Sequence, residues 1–177
     1  MEAGEVLSLL RESGALLEGH FELSSGNRSD RYVQCALALQ DPARAAALGV
    51  ALGEKFHDDH VDVVVGPAMG GIIIANEVAR FLGSRCLFTE RVEGAMTLRR
   101  GFVVEAGEKA LVVEDVVTTG GSMAQAIKAL EDSGCTIVKI ISLVDREAGH
   151  VDELKKYDYT PIFTISELKK LAREKAS

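Results

Sequence analysis

Two adjacent carboxylates, Glu114 and Asp115, are followed within eight positions by Thr118, Thr119, Gly120, Gly121 and Ser122. They stand at the end of the apolar run Ala110 to Val113. Beyond them Met123, Ala126, Ile127 and Leu130 recur at the i, i+3, i+4, i+7 spacing of an amphipathic helix. That order is strand, acidic edge, loop, helix N-terminus. The first turn of such a helix offers backbone N–H groups without intrahelical partners and the positive end of its dipole, which suits phosphate. Gly120 and Gly121 let the backbone come close, and the three hydroxyls add donors. Two carboxylates would repel a bare phosphate, so sugar hydroxyls or a magnesium ion carried by the ligand are their expected partners. No lysine lies in the loop and GxxxxGK[ST] is absent, which excludes a nucleoside-triphosphate P-loop. A ribose phosphate satisfies both halves. Strand–Gly–helix alone reads equally well as an ordinary capping loop; the paired acids and the unbroken Thr-Thr-Gly-Gly-Ser weigh against that.

Other residues could join this chemistry. Asp145-Arg146-Glu147 ends the long apolar run Thr136 to Val144, and ligands gather at the carboxyl ends of strands in open α/β sheets. The planar fork of Arg146 suits a carboxylate or a pyrimidine edge, with a surface pair to Asp145 or Glu147 as the alternative. Gly66 to Gly71 makes a second strand–Gly–helix junction, for which packing is an equal explanation. Arg91 stands at the foot of a segment, Val92 to Leu98, that has no apolar period and holds Gly94, so it reads as a mobile loop. Arg99-Arg100-Gly101 closes that loop, as a cationic group or as a solvated turn. Cys35, Cys86 and Cys135 are odd in number and scattered, which reads as buried reduced thiols. His57, His60 and His150 lack metal spacing and read as surface residues.

The elements that must position these residues alternate. A helix is expected over 5–13, closed by Gly14, and residues 20–39 read as strands and loops of a small subdomain. Asp41 caps a helix that begins at Pro42. Val61 to Val65 is a buried strand, and Ile74, Ala75, Val78 and Leu82 mark the helix after it. Residues 85–89 and Phe102 to Val104 read as strands. Gly134 ends the helix after Ser122, residues 149–157 read as helix, Thr160 to Ile165 as a strand, and Ser166 as the cap of the final helix. This pattern predicts an α/β architecture: a doubly wound, mostly parallel sheet with helices on both faces.

At 177 residues the chain is expected to be a single domain. A hydrophobic content of 47% with 27% charged residues fits a globular protein. The net charge of −7 argues against nucleic acid as a partner. The absence of a long apolar tract or a signal-like segment predicts no membrane partner and a cytoplasmic location.

Val113 to Ser122 resembles the phosphoribosyl-pyrophosphate (PRPP) motif of the type I phosphoribosyltransferases. Three further stretches resemble the orotate-using members of that family: Gly19-His20-Phe21-Glu22-Leu23-Ser24-Ser25-Gly26, Val65-Gly66-Pro67-Ala68, and Asp145-Arg146-Glu147. They fall in the family's order and span nearly the whole chain. The resemblance implies transfer of phosphoribose from PRPP to orotate, in pyrimidine biosynthesis, by a homodimer whose hood, over about 15–40, covers the base. It implies Mg²⁺ carried by PRPP, with no metal held directly by the protein. Glu114 and Asp115 would hold ribose hydroxyls, and Val116, Val117, Thr118, Thr119, Gly120, Gly121 and Ser122 the 5′-phosphate. Thr118, Arg146 and Ser25 would meet orotate, Arg91 the pyrophosphate side, and Arg99 and Arg100 would join the two acids in catalysis. The chain departs from the pattern where many members carry lysines or a histidine: Ser24, Gly70, Val92, Ala95 and Thr97 stand there instead. A phosphoribosyltransferase for a purine and a non-catalytic PRPP-binding regulator stay open as alternatives.

Overall fold

The computed structural model describes residues 3–22, 28–56 and 60–174. Helix α1 (Ala3–Glu12) leads into a two-stranded antiparallel sheet, β1 (Leu16–Glu22) and β2 (Arg28–Val33), within the span expected for the hood. A short helix α2 (Ala36–Leu39) precedes α3 (Pro42–Gly53), whose N-cap Asp41 accepts a hydrogen bond from Arg44 N at 3.0 Å. The main sheet then builds from β3 (Val63–Pro67), α4 (Gly71–Leu82), β4 (Arg85–Val92), β5 (Ala95–Leu98), β6 (Lys109–Val117), α5 (Gly121–Asp132), β7 (Thr136–Asp145), β8 (Tyr159–Thr164) and α6 (Ile165–Glu174).

Its order is β5-β4-β3-β6-β7-β8, parallel except for the β4–β5 hairpin. Every residue of β3 is buried, as a strand covered on both faces requires. Two apolar layers cover the sheet. Leu111, Val113 and Ile141 pack with Leu48, Leu52, Ile74 and Val78 on one face, and Val112, Val65 and Ile140 pack with Met123, Ile127 and Leu130 on the other. The predicted α/β layering is what the chain adopts.

Several local expectations give way. Val92 to Leu98 is no loop: it is the tip of the β4–β5 hairpin, closed by Glu93 and Gly94 at φ 50° and 89°. Two successive positive-φ residues make the two-residue turn whose twist matches antiparallel strands, so Gly94 marks a turn. Phe102 to Val104 forms no strand; Phe102 packs edge-on against Phe88, with ring centroids 5.1 Å apart. The helix expected over 149–157 shrinks to a 3₁₀ turn, Asp152–Lys156. Ser166 lies inside α6, and the cap is Thr164. Thr164 Oγ1 accepts from Glu167 N at 3.2 Å while Glu167 Oε2 accepts from Thr164 N at 2.8 Å, a reciprocal capping box.

Candidate functional site

Strand periodicity separates the two acids. Side chains alternate between the faces of a sheet. Glu114 continues the face of Ala110 and Val112, toward α5; Asp115 continues the face of Leu111 and Val113, toward α4. Glu114 therefore looks into a cavity of about 280 Å³ that it shares with Arg91, Gln125 and every residue from Val116 to Ser122. Asp115 lies against the backbone at Gly70, with its Oδ1 accepting from Val116 N at 2.8 Å. Cys35 Sγ approaches the Asp115 carbonyl from the same side, at 3.8 Å.

The loop over the cavity is braced from below. Gly120 sits at φ 79°, in the left-handed region, with Leu154 Cγ 3.1 Å from where a Cβ would stand, so both conformation and space demand glycine. Arg146 N donates to Val117 O and Val151 N donates to Thr119 O, each at 2.9 Å. The segment after β7 thus ties the phosphate-type loop to the arginine expected at the base. Asp145, 5% exposed, shapes that segment: its Oδ1 accepts from Glu147 N at 2.8 Å. Its Oδ2 lies 2.9 Å from His150 Nε2, an ion-pair distance out of line for a hydrogen bond. His150 also stacks edge-on against Tyr159, so the reading of His150 as a surface residue is corrected: it packs at the foot of the site. His60 is exposed as expected, and His57 lies outside the described residues.

The arginines divide. Arg91 Nη2 donates to Ser122 Oγ at 3.3 Å, and its Nη1 donates to Gln125 Oε1 at 3.2 Å and Gly94 O at 2.6 Å. Its guanidinium thus stands beside the first turn of α5. Arg99 and Arg100 do not line the cavity. Glu90 holds Arg100 through two hydrogen bonds, 3.1 Å to Oε1 and 2.9 Å to Oε2, and Arg99 Nη1 lies 3.7 Å away. Arg146 Nη2 donates to Val33 O at 3.2 Å, joining the end of β7 to the hood strand β2. Ser25 and Ser24 lie outside the described residues. Among the three free thiols Cys35 and Cys135 are buried, while Cys86 is only half-buried. Gln125, Glu90 and Gly70 had not been singled out for these contacts. Gln125 was findable, one helical turn beyond Ser122 on the same face.

Burial, and then the neighbouring Asp115, push the Glu114 carboxyl up to about 8. Burial also raises Asp115, opposed by the Val116 N–H and by Arg146. Glu114 therefore keeps a proton in the folded chain that the unfolded chain has released. Its contribution to stability is full below the ordinary carboxylate value and is lost as pH rises through about 8. Glu114→Gln should flatten the fall of melting temperature between pH 5 and pH 8, while weakening PRPP use by about 1.5–3 kcal/mol, one charge-assisted hydrogen bond. Asp115→Asn should weaken PRPP use similarly. Melting curves across that range with PRPP kinetics check both; wild-type kinetics in both variants would remove the acids from the site.

Among the described residues no helix is long and apolar enough to cross a membrane, and no cluster of three metal-ligating side chains is present. The phosphoribosyl transferase domain family model matches residues 37–169. Orotate phosphoribosyltransferase of Pelotomaculum thermopropionicum is 52% identical over 152 residues, 86% of this chain and 80% of that protein. The Erythrobacter litoralis protein of the same name is 53% identical, over 84% of this chain and 78% of its own. Among solved structures, orotate phosphoribosyltransferase from Aeropyrum pernix superposes with a TM-score of 0.78 at 28% identity, covering 94% of this chain and 98% of that one. The Mycobacterium tuberculosis orotate phosphoribosyltransferase in complex with PRPP does so with 0.74 at 26%, over the same shares.

Proposed function

The chain belongs to the phosphoribosyl transferase family, among its orotate phosphoribosyltransferases, and from that premise we propose how its residues carry phosphoribose from PRPP to orotate. In the reaction the bond from the anomeric carbon to pyrophosphate breaks, pyrophosphate leaves with the electron pair, and the orotate ring nitrogen bonds to that carbon. The nitrogen arrives as an anion, so no protein base is needed. Positive charge grows on the sugar as the bond breaks, and carboxylates beside the ribose stabilise it.

The observation that carries this reading is the shared cavity. Glu114, the open N–H groups at the start of α5, three hydroxyl-bearing residues and the Arg91 guanidinium converge on one volume of about 280 Å³. The loop from Val116 to Ser122 holds the 5′-phosphate, and Arg91 meets the pyrophosphate side. Glu114 takes a ribose hydroxyl from one face of β6, and Asp115 reaches the ribose from the other. Thr118 and Arg146 orient the base under the β1–β2 hairpin. Magnesium on PRPP, when bound, neutralises part of the pyrophosphate charge. The residues fit an ion that the substrate brings: one half-buried carboxylate, Glu114, faces the cavity, and its tendency to stay protonated is what a nearby cation reverses. A cytoplasmic homodimer completes the reading, with Arg99 and Arg100 serving the partner's site.

A steady-state assay with orotate, uracil, hypoxanthine and adenine tests it. Turnover is expected with orotate alone. Turnover of a purine would assign another base, and PRPP binding without turnover of any base would make the chain a regulator.

A further inference from the structure

Gln125 lines the same cavity as Glu114 and the loop from Val116 to Ser122, but it stands outside that loop, on α5. Arg91 Nη1 donates to its Oε1 at 3.2 Å. Arginine has donors and no acceptor, so the amide oxygen is the atom that faces it. The same Nη1 donates to Gly94 O at 2.6 Å, and Nη2 donates to Ser122 Oγ at 3.3 Å. Three of the five guanidinium N–H groups are spent in this way, and among the described residues the other two meet no acceptor. The three contacts differ in what they can do. Gly94 sits on the hairpin turn at φ 89°, so its carbonyl ties Arg91 to its own hairpin. Ser122 can accept from Arg91 and still donate its hydroxyl to a phosphate. Gln125 anchors Arg91 to α5 and has no task at the 5′-phosphate. It is also neutral, so it orients the cation without cancelling its charge, unlike Glu90, which pairs with Arg99 and Arg100. Both Arg91 and Gln125 are exposed, so the fold does not depend on their contact.

We infer that Gln125 is a positioning residue for the reaction: its amide oxygen holds the Arg91 guanidinium at the cavity, with two N–H groups left to receive pyrophosphate. The inference rests on the proposed place of Arg91 on the pyrophosphate side. Arginine is among the side chains that lose most rotamer freedom when they are fixed. Fixing it before the ligand arrives removes that loss from the binding step. Gln125 therefore acts on pyrophosphate through Arg91, and leaves the 5′-phosphate to the loop.

Titration calorimetry with two probes tests it: pyrophosphate with magnesium present, and ribose 5-phosphate, which carries no pyrophosphate. The proteins are wild type, Gln125→Leu, Arg91→Ala and the double variant, each followed also by thermal melting. Gln125→Leu should melt like wild type and bind ribose 5-phosphate like wild type, yet bind pyrophosphate roughly tenfold more weakly, the scale of one hydrogen bond to a charged group. In the Arg91→Ala background the same substitution should change pyrophosphate binding little, because no guanidinium is left to position. Gln125→Glu keeps an acceptor at that place and should restore most of the affinity. Wild-type pyrophosphate binding in Gln125→Leu, a loss shared by ribose 5-phosphate, or an equal loss in both backgrounds would overturn the inference, as would a Gln125→Glu variant no better than Gln125→Leu. Wild-type pyrophosphate binding in Arg91→Ala would instead sink the pyrophosphate place of Arg91, whatever Gln125 does.

Discussion

Arg146→Ala is expected to lose orotate affinity by on the order of 100-fold while PRPP affinity changes by no more than a few-fold. The estimate follows from a planar fork meeting a carboxylate: a hydrogen bond to a charged partner contributes about 1.5–3 kcal/mol, and 1.4 kcal/mol is about tenfold. Lysine cannot offer two parallel donors, so Arg146→Lys should recover only part of the loss. Arg146 has a second task, since its Nη2 also donates to Val33 O and so steadies the hood strand. Its charge further helps to hold Asp115 ionised against burial, which is why some PRPP affinity should go with it. Uracil separates these effects, because it lacks the carboxylate. Wild type should prefer orotate strongly, and in Arg146→Ala the preference should collapse, with both bases equally weak. A gap between orotate and uracil that survives in the variant would place the carboxylate elsewhere and leave Arg146 as a brace for β2.

The PRPP motif was legible because every part of it is local. An apolar strand, its acids, the hydroxyls and the helix that follows occupy one continuous run, and the strand period alone puts Glu114 and Asp115 on opposite faces. The parallel sheet was legible for the same reason: each strand–helix pair carries its own apolar pattern. What escaped depends on pairing across distance. The β4–β5 hairpin hid because its tip has no apolar period, and only the register Val92 to Ala95 reveals that two positive-φ residues close it. The Asp145–His150 contact joins residues whose sequence neighbourhood is polar, so His150 looked like surface. Gly70 stands out in the sequence only as a departure from the family's lysine, and its contact with Asp115 shows only once the two loops are brought together. The Thr164 cap was misread by two residues, because Thr164 and Ser166 are equally good cap types and only the Glu167 partner decides between them.

Arg99→Ala/Arg100→Ala should lower turnover by about 100-fold or more, the scale on which charge stabilisation at a departing group is lost. The structure gives the reason to look beyond the protomer. Neither arginine lines the cavity of its own chain, and both are more than half exposed, at 56% and 62%. They sit on a turn in which Phe102 N donates to Arg99 O at 3.0 Å while Arg100 and Gly101 take φ 64° and 75°. Glu90 occupies them, but an exposed ion pair of this kind contributes only about 0–1 kcal/mol, so a pyrophosphate with several charges displaces it readily. In the proposed twofold dimer, each site then combines one subunit's PRPP loop with the other's arginines. Complementation decides the point. The double variant and Arg146→Ala should each be nearly inactive alone. After subunit exchange about half of the dimers are hybrids, and each hybrid has one site with every part intact, so activity should return to roughly a quarter of wild type. If the arginines serve their own subunit, every site keeps one defect and nothing returns. If they are only a solvated turn, the double variant is active from the start. A mixture that stays inactive, with exchange confirmed by mass spectrometry, would rule out the crossing arginines.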